Sequence, residues 1–335
     1  MTDQKLNPSR LIELATAYWG SATLIAASNL NIFTTLADGP MTAKQMADSL
    51  ELDLHASDAL LTGCVGLDLL SKDGENYVNT PMAEAFLVTG RPGYLGPALA
   101  YNGDVFKLWG SLADVVKQGT ASQAPEQYLG NDASRTRNFV YGMHHRALGI
   151  GQAVASAIDL SGCRHLADVG GGPGTYSGLL TAKHPDLKAT VLDLPAVVDI
   201  AGEIVASMGA SSSVSCQAFD YYTDPMMTNY DAALISGVLH REQSDGAEAL
   251  ITKVAENLDD GGTLYISDVM LDDTRTGPLF GTMFALNMRV LAHNGRCHSV
   301  AEQTEWLANA GCTVTQVTQL PAPIHYTVIR AEKKK

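Results

Sequence analysis

A run of glycines after an apolar segment constrains the fold of this chain more than any other feature. Residues 166–169 are rich in strand formers, glycines follow at positions 170, 171, 172 and 174, and the apolar spacing then becomes helical. This order predicts a strand, a tight turn and the start of a helix, because glycine lets the backbone turn with no Cβ atom in the way. A ligand can approach the backbone of such a turn closely, and turns of this kind usually bind nucleotides.

Two carboxylates beside the turn narrow the choice of ligand. The spacing G-G-G-P-G-T-Y departs from the G-x-G-x-x-G of dinucleotide sites, and Tyr176 falls where that motif needs clearance. Asp168 precedes the turn, and a carboxylate beside the ligand favours a cation over a phosphate group. Asp193 ends a second apolar run, residues 189–192, where an acid can accept hydrogen bonds from both ribose hydroxyls. A nucleoside with a positive centre and no phosphate describes S-adenosylmethionine, so the sequence predicts this cofactor.

Composition and charge exclude several other classes of protein. The chain has 335 residues, of which 46% are hydrophobic, so it can bury a large core in one large domain or two. Its net charge of −14 argues against nucleic acid as a partner, because phosphate contacts need a basic surface. The five cysteines are scattered, without a C-x-x-C pair, which is typical of a reduced protein. With no signal-like start and no long apolar run, we expect a cytoplasmic protein that does not enter membranes.

The N-terminal third has the pattern of a winged helix. Apolar residues recur at helical spacing over residues 8–36, 42–50 and 58–69, and residues 70–80 are typical of a hairpin with a turn at Asp73 and Gly74. A winged helix can bind DNA, but residues 58–69, the candidate recognition helix, contain no lysine or arginine. We therefore expect this domain to serve dimerisation.

The C-terminal half alternates strands and helices, which predicts a parallel sheet with helices on both faces. The predicted strands are residues 166–169, 189–192, 214–218, 231–236, 263–268 and 326–330, and residues 313–320 are expected to pair with the last of these in an antiparallel hairpin. Polar residues lie at five strand ends, namely Asp168, Asp193, Asp220, Ser236 and Asp268. Ligands of open α/β sheets bind at this edge. The expected regions are 1–100 for dimerisation, 101–160 as a helical linker and substrate-pocket region, and 161–335 for catalysis.

Five motifs in order resemble those of class I S-adenosylmethionine-dependent O-methyltransferases of the plant caffeate and bacterial natural-product type. They are the glycine motif at 168–174, the ribose segment at 192–195, the adenine segment at 219–222, the histidine segment at 238–240 and an active-site loop at 294–299. The resemblance covers almost the whole chain. It implies a Rossmann-like, doubly wound, mostly parallel sheet with a C-terminal antiparallel hairpin, and a mainly α-helical winged-helix domain that forms a homodimer.

The resemblance also assigns roles to individual residues. Asp193 would bind the ribose hydroxyls, and Asp220 with Tyr221 would surround the adenine. His240 would be the general base and Asp268 its orienting acid. A phenol has a pKa near 10, so an imidazole that titrates close to neutral pH suits the removal of its proton. The expected cofactor-binding residues are Asp168, Gly170, Gly172, Asp193, Leu194, Asp220, Tyr221 and Ser236. S-adenosylhomocysteine would be the product.

The acceptor is expected to be a small aromatic or polyketide-like molecule. Adjacent helical residues point about 100° apart, so at most one of His144 and His145 is expected to be buried on the face of Met143. The expected lining of the acceptor pocket is Trp109, Phe139, Met143, His144, Asn287 and Cys297. The sequence leaves open the identity of the acceptor, whether oxygen or nitrogen is methylated, and which of His144, His145 and His240 is the base.

Three departures from the family pattern keep a second hypothesis open. Arg241 and Glu242 follow the histidine where the family usually has Asp-Trp, Cys297 replaces a second orienting acid, and Ser236 replaces a lysine. They are compatible with a non-methylating enzyme of this fold, a decarboxylase, hydroxylase or pericyclase that keeps the cofactor as a structural or electrostatic element. A non-catalytic regulator is a third possibility. No metal is expected, because His293, Cys297 and His298 have no carboxylate partner nearby.

Overall fold

The computed structural model describes residues 7–119, 130, 132–227 and 229–335. It divides into two compact units, Met1–Lys107 and Leu108–Lys335. The expected region of residues 101–160 falls mostly in the second unit, and its boundaries stay a prediction. No described helix is long and apolar enough to cross a bilayer.

The first unit consists of short helices and a small sheet. Its helices are α1 (Ser9–Thr16), α2 (Tyr18–Asn29), α3 (Ile32–Leu36), α4 (Ala43–Leu50), α5 (Leu54–Gly66), α6 (Pro81–Phe86) and α7 (Gly96–Trp109), the last of which runs into the second unit. Its strands are β1 (Met41–Thr42), β2 (Leu70–Asp73) and β3 (Asn76–Asn79), in the antiparallel order β1-β3-β2. The helices and the β2–β3 hairpin confirm the predicted arrangement.

One local expectation in this unit was wrong, and one short strand was not foreseen. Helix α5 begins at Leu54 and ends at Gly66, not at residues 58 and 69, because Asp53 caps it by accepting a hydrogen bond from the Ala56 N–H at 2.8 Å. Strand β1 was not predicted, since two residues carry no periodicity. It leads directly into α4, where Thr42 and Gln45 form a capping box.

The second unit contains a seven-stranded sheet. Its strands are β4 (His165–Val169), β5 (Lys188–Asp193), β6 (Val214–Ala218), β7 (Tyr230–Ser236), β8 (Leu258–Asp268), β9 (Cys312–Gln319) and β10 (Thr327–Lys333). Their order is β6-β5-β4-β7-β8-β10-β9, with β4 to β8 parallel and β10 antiparallel to both β8 and β9. The predicted parallel sheet and C-terminal hairpin are confirmed.

Helices cover both faces of this sheet. They are α8 (Leu112–Gln118), α9 (Ala133–Ala157), α10 (Thr175–Lys183), α11 (Pro195–Ser207), α12 (Ser244–Asn257), α13 (Leu279–Leu291) and α14 (Val300–Asn309). Neighbouring strand residues alternate between two cores: Leu234 packs with residues of α9, α10 and α13, whereas Ile235 packs with residues of α12 and α14. The strands are therefore apolar on both sides, as buried parallel strands must be.

The topology sets where a ligand can bind. Strand β4 lies between β5 and β7, so the chain leaves β4 towards one side of the sheet and later crosses to the other side. A crevice opens at the carboxyl ends of the strands at such a switch point. Asp168, Asp193 and Ser236 lie at the ends of β4, β5 and β7.

Candidate active site

The glycine turn joins β4 to α10 in a conformation that only glycine adopts easily. Gly170, Gly172 and Gly174 have φ angles of 65°, 53° and 71°. A Cβ atom on Gly170 would lie 2.6 Å from Val238, and one on Gly174 would lie 2.9 Å from Val205. Gly172 differs, because a Cβ atom there would meet nothing within 4 Å. Packing thus explains two of these glycines, whereas Gly172 borders open space that a ligand can enter.

Asp193 holds its carboxylate against this turn. One oxygen accepts a hydrogen bond from the Gly172 N–H at 2.7 Å, and the other accepts one from the Leu194 N–H at 2.7 Å. Burial raises the pKa of Asp193, and these two bonds oppose that shift. The bonds link the second strand to the turn and fix the direction of the carboxylate. Leu194 contributes its backbone here, as the residue before α11.

Asp168 is fully buried beneath the turn. One carboxylate oxygen accepts a hydrogen bond from Ser177 Oγ at 2.6 Å, and the other has no hydrogen-bond partner among the described residues. A Cβ atom on Gly171 would lie 2.7 Å from the Asp168 carboxyl carbon, so the side chain packs against the backbone of the turn. Burial raises the pKa of Asp168 to about 6, and the charge of Asp193 adds to this. A direct contact of Asp168 with a ligand stays a prediction.

Two adjacent tyrosines follow β6 and are anchored by one carboxylate. The Tyr221 and Tyr222 hydroxyls donate to Glu242 Oε1 at 2.6 and 2.5 Å, and Glu242 is 3% exposed. Burial raises the pKa of both tyrosines, that of Tyr222 to about 12, so both remain donors at neutral pH. The Asp220 carboxylate accepts a hydrogen bond from the backbone N–H of Tyr222, two residues later, at 2.9 Å.

Glu242 was missed as a site residue, although the sequence marked it as a departure from the family's Asp-Trp pair. The departure at Glu242 was visible in the sequence, but the tyrosines that hydrogen-bond Glu242 lie about twenty positions earlier in the chain. Spacing along the chain does not reveal such a contact.

His240 and Asp268 form a hydrogen-bonded pair at the ends of β7 and β8. Nδ1 of His240 lies 2.6 Å from Asp268 Oδ1, and the two side chains are 11% and 3% exposed. Asp268 also accepts hydrogen bonds from the backbone N–H groups of His240 at 3.3 Å and Val269 at 2.7 Å. Nδ1 therefore carries the proton that it donates to the carboxylate, which leaves Nε2 as an acceptor. No described residue hydrogen-bonds Nε2.

Cys297 lies close to this pair, but its thiol cannot replace a carboxylate as the group that orients His240. It is completely buried, and burial together with the charge of Asp268 raises the pKa of its thiol. The thiol is neutral at physiological pH. His240 is therefore oriented by Asp268.

An aromatic side chain of α13 packs against the His240 ring. The Phe284 and His240 rings lie nearly perpendicular to each other, with their centroids 4.9 Å apart. Trp109 Nε1 donates to Asn287 Oδ1 at 2.8 Å, so these two expected pocket residues are brought together. Ser236 ends β7 with its hydroxyl buried next to Tyr176.

Three further expected pocket residues, Phe139, Met143 and His144, lie on helix α9. Phe139 packs with Val197 and its neighbours on α11, whereas Met143 is partly buried on the same helix. His144 is buried and its Nδ1 lies 2.8 Å from Thr175 Oγ1, while His145 bonds the Tyr141 carbonyl oxygen. Burial lowers the pKa of His144 to about 4, so it is neutral at physiological pH. Only one of the two adjacent histidines is fully buried, as the helical spacing predicts.

The described residues contain no group of three or more histidine, cysteine or acidic side chains arranged to hold a metal ion. His298 is instead buried in the loop, where its Nε2 lies 3.1 Å from the Leu239 carbonyl oxygen and 3.2 Å from that of Glu242. These contacts support the backbone around His240.

Family models match most of the chain. An O-methyltransferase domain matches residues 109–313, and an O-methyltransferase dimerisation domain matches residues 12–89. The chain belongs to the O-methyltransferase family. This confirms the expected S-adenosylmethionine-dependent O-methyltransferase and its cofactor, and the first unit carries a dimerisation domain.

Relatives of this O-methyltransferase match over nearly its full length. The 3-hydroxy-5-methyl-1-naphthoate 3-O-methyltransferase of Streptomyces sahachiroi is 32% identical, over 94% of this chain and 92% of its own. The tetracenomycin polyketide synthesis 8-O-methyl transferase of Streptomyces glaucescens is 30% identical, over 94% of both chains. Among solved structures, human N-acetylserotonin methyltransferase in complex with S-adenosylmethionine is 26% identical and covers 100% of both chains with a TM-score of 0.88.

Proposed function

We propose that this enzyme transfers a methyl group from S-adenosylmethionine to a hydroxyl of an aromatic or polyketide-like small molecule, with His240 as the general base. The observation that carries the proposal is the 2.6 Å contact between His240 and Asp268, beside the glycine turn at the carboxyl edge of the sheet. Removal of a proton from a hydroxyl requires a positioned base, and here a buried acid orients that base.

The residues around the turn fit the cofactor. Gly172 borders open space, and the carboxylate of Asp193 lies beside it with lone pairs left for ribose hydroxyls. One carboxylate oxygen of Asp168 has no partner among the described residues, and its charge would favour a cation nearby. We assign the adenine to the segment of Asp220 and Tyr221, with Gly170, Leu194 and Ser236 completing the cofactor site. When bound, the cofactor supplies an electrophilic methyl group on a sulfonium.

The chain's own groups would carry the proton through the reaction. His240 Nε2 would accept the proton of the acceptor hydroxyl as that oxygen attacks the methyl group that the bound cofactor supplies, with S-adenosylhomocysteine as the leaving group. Asp268 stabilises the imidazolium that forms, and the proton then leaves to solvent. Positioning of the two reactants in line supplies much of the rate, because it removes the entropy cost of their encounter.

The nature of the acceptor is supported by its surroundings and by the relatives. Phe284 packs against His240, and we expect Trp109 and Met143 to add flat or adaptable apolar surface to the acceptor pocket. The two Streptomyces relatives are named for a hydroxynaphthoate and a polyketide, and both names specify methyl transfer to oxygen. These names favour methylation over the alternative of a non-methylating enzyme of this fold.

We also propose that the enzyme is a homodimer through its first unit. Leu11, Ile12, Leu14, Tyr18 and Trp19, here called the N-terminal apolar surface, are each more than half exposed. Helix α1 buries none of its residues within the chain. Contiguous exposed apolar side chains of this size are typical of an interface. The cytoplasmic location stays a prediction.

The proposal is tested by product analysis. The enzyme is incubated with S-adenosylmethionine labelled in its methyl group and a panel of hydroxynaphthalenes, hydroxynaphthoic acids and phenols. We expect label on an acceptor oxygen and an equal amount of S-adenosylhomocysteine. Conversion of an acceptor without S-adenosylhomocysteine would contradict the proposal and favour the non-methylating alternative.

A further inference from the structure

Arg146 of α9 is a partly buried guanidinium next to the candidate active site. Its Cζ atom lies over the ring of Phe284, 5.7 Å from the ring centroid. The same ring packs nearly perpendicular to the His240 ring, 4.9 Å between centroids. The guanidinium and the proposed base therefore both pack on one phenylalanine ring. The Arg146 Cζ atom and the His240 ring centroid are no farther apart than the sum of these two distances.

No acidic side chain neutralises this arginine in the part of the chain that the structure describes. None of the described residues accepts a hydrogen bond or forms an ion pair with Arg146. Arg137, on the same helix, shows the ordinary situation: both of its terminal nitrogens contact the Glu203 carboxylate, at 3.1 and 2.7 Å. A cation withdrawn from water without a partner is costly, and the cost falls when a ligand supplies the anion.

The positive charge of Arg146 acts on two tyrosine hydroxyls. Burial raises the pKa of both Tyr176 and Tyr326, and the positive charge of Arg146 opposes the shift in each case. Both tyrosines are thus neutral at physiological pH. Asp268 also acts on Tyr326, but its carboxylate is bonded to His240 and to the Val269 N–H. The nearby carboxylate is already occupied, and the guanidinium retains its donors for a ligand.

We propose that Arg146 binds a carboxylate of the acceptor, so that the substrates are hydroxylated aromatic carboxylic acids. The inference rests on the proposed function and names the substrate class of that site. The planar guanidinium suits a carboxylate because it offers two parallel N–H donors. An aromatic acid lying along Phe284 would place its carboxylate on Arg146 and its hydroxyl on His240. The bound carboxylate also offsets the positive charge of Arg146 near a sulfonium.

Binding measurements test this assignment without requiring turnover. A hydroxynaphthoic acid and its methyl ester are titrated into the full-length enzyme saturated with S-adenosylhomocysteine. A hydrogen bond between charged groups contributes roughly ten- to a hundredfold in affinity. We expect the wild-type enzyme to bind the acid at least about tenfold more tightly than the ester. In Arg146→Gln, the acid should lose that advantage and the affinity for the ester should change by less than about threefold.

Two further variants control for charge and folding. Arg137→Gln removes a positive charge from the same helix at an exposed ion pair, and it should keep the preference for the acid. Arg146→Lys should keep part of the preference, because a lysine retains the charge without the paired donors.

Three results would overturn the assignment. The first is equal affinity of the wild-type enzyme for acid and ester, and the second is an equal loss for both ligands in Arg146→Gln. The third is a loss of S-adenosylhomocysteine affinity in Arg146→Gln, which would assign the guanidinium to the carboxylate of the cofactor. An acid that binds through Arg146 but is not methylated would support the assignment while contradicting the proposed function.

Discussion

Asp168 shows how one residue can favour a ligand at the expense of the fold. Its pKa is raised to about 6 because the carboxylate is fully buried, and one oxygen has no partner among the described residues. Between the ordinary pKa and this raised value, the folded chain binds a proton that the unfolded chain has released. The free energy of unfolding therefore falls as the pH rises through this window. A buried carboxylate kept at such a cost is understandable if a cation compensates it.

We expect Asp168→Asn to stabilise the cofactor-free enzyme at neutral pH by up to about 3 kcal/mol, since the amide has no charge to desolvate. The gain should vanish near pH 4, where the wild-type carboxyl is also neutral. Urea unfolding of both proteins across about pH 4 to 8 measures this difference. Asp199→Asn, at an exposed site on α11, is the control and should change stability by less than about 0.5 kcal/mol. A pH-independent difference for Asp168→Asn would contradict the account.

The sequence predicted the positions of some candidate site residues well and others not at all. Strand ends and motif order predicted Asp193, His240 and Asp268 at one edge of the sheet, where the structure has them, and their roles stay predictions. Glu242 and Arg146 were not found, since the contacts that define them join segments far apart in the chain. Such residues come together only in the folded chain.

At the scale of elements, the β4–α10 turn is the part that we propose for the cofactor. Gly170 and Gly174 are required by packing against Val238 and Val205. Gly172 is required only by its φ of 53° and by what lies in the open space beside it. Effects on the fold and on the cofactor can therefore be separated at this position.

We expect Gly172→Ala to lower the free energy of unfolding by about 1–2 kcal/mol, the cost of a left-handed L-residue. We expect it to weaken S-adenosylhomocysteine binding at least about tenfold, because the methyl group enters the crevice. Calorimetric titration measures the affinity. Gly202→Ala on α11 is the matched control: its Cβ atom would meet nothing within 4 Å and its φ is ordinary, so affinity should not change. Undiminished affinity in Gly172→Ala would remove the cofactor from this turn.

Strands of the large sheet were predicted closely where an apolar run ends in a polar residue, as in β5, β7 and β8. The start of β8 was missed: the strand begins at Leu258, since residues before the predicted start pair with β7 across a register shift. Helix α5 was displaced because the Asp53 cap outweighs the apolar pattern that follows it. Local hydrogen bonds therefore set the boundaries that periodicity leaves undetermined.

For the whole molecule, the exposed N-terminal apolar surface is the feature that a single chain does not explain. Ile12 and Trp19 are 62% and 60% exposed, within the stretch matched by the dimerisation domain model. Burying such side chains stabilises an interface by roughly 1.5–3 kcal/mol each. A second copy of the chain would bury these side chains.

We expect the wild-type enzyme to sediment at twice the mass of one chain, and the double variant Leu14→Glu, Trp19→Glu to sediment as a monomer. Two charges placed in an apolar interface are poorly solvated and repel their copies across it. Val116→Glu, at a 69% exposed position on α8 in the second unit, is the control and should remain dimeric. A wild-type enzyme that sediments as a monomer at micromolar concentration would contradict the proposed dimer.

The most direct test of the whole account is the single-turnover rate of methyl transfer in His240→Ala, with S-adenosylmethionine affinity measured in the same protein. We expect the affinity to stay within about threefold of wild type and the rate to fall by at least about a hundredfold, because the base is lost while the cofactor site is intact. His293→Ala, at an exposed histidine, should leave both unchanged. Methyl transfer in His240→Ala at the wild-type rate would contradict the assignment of the base.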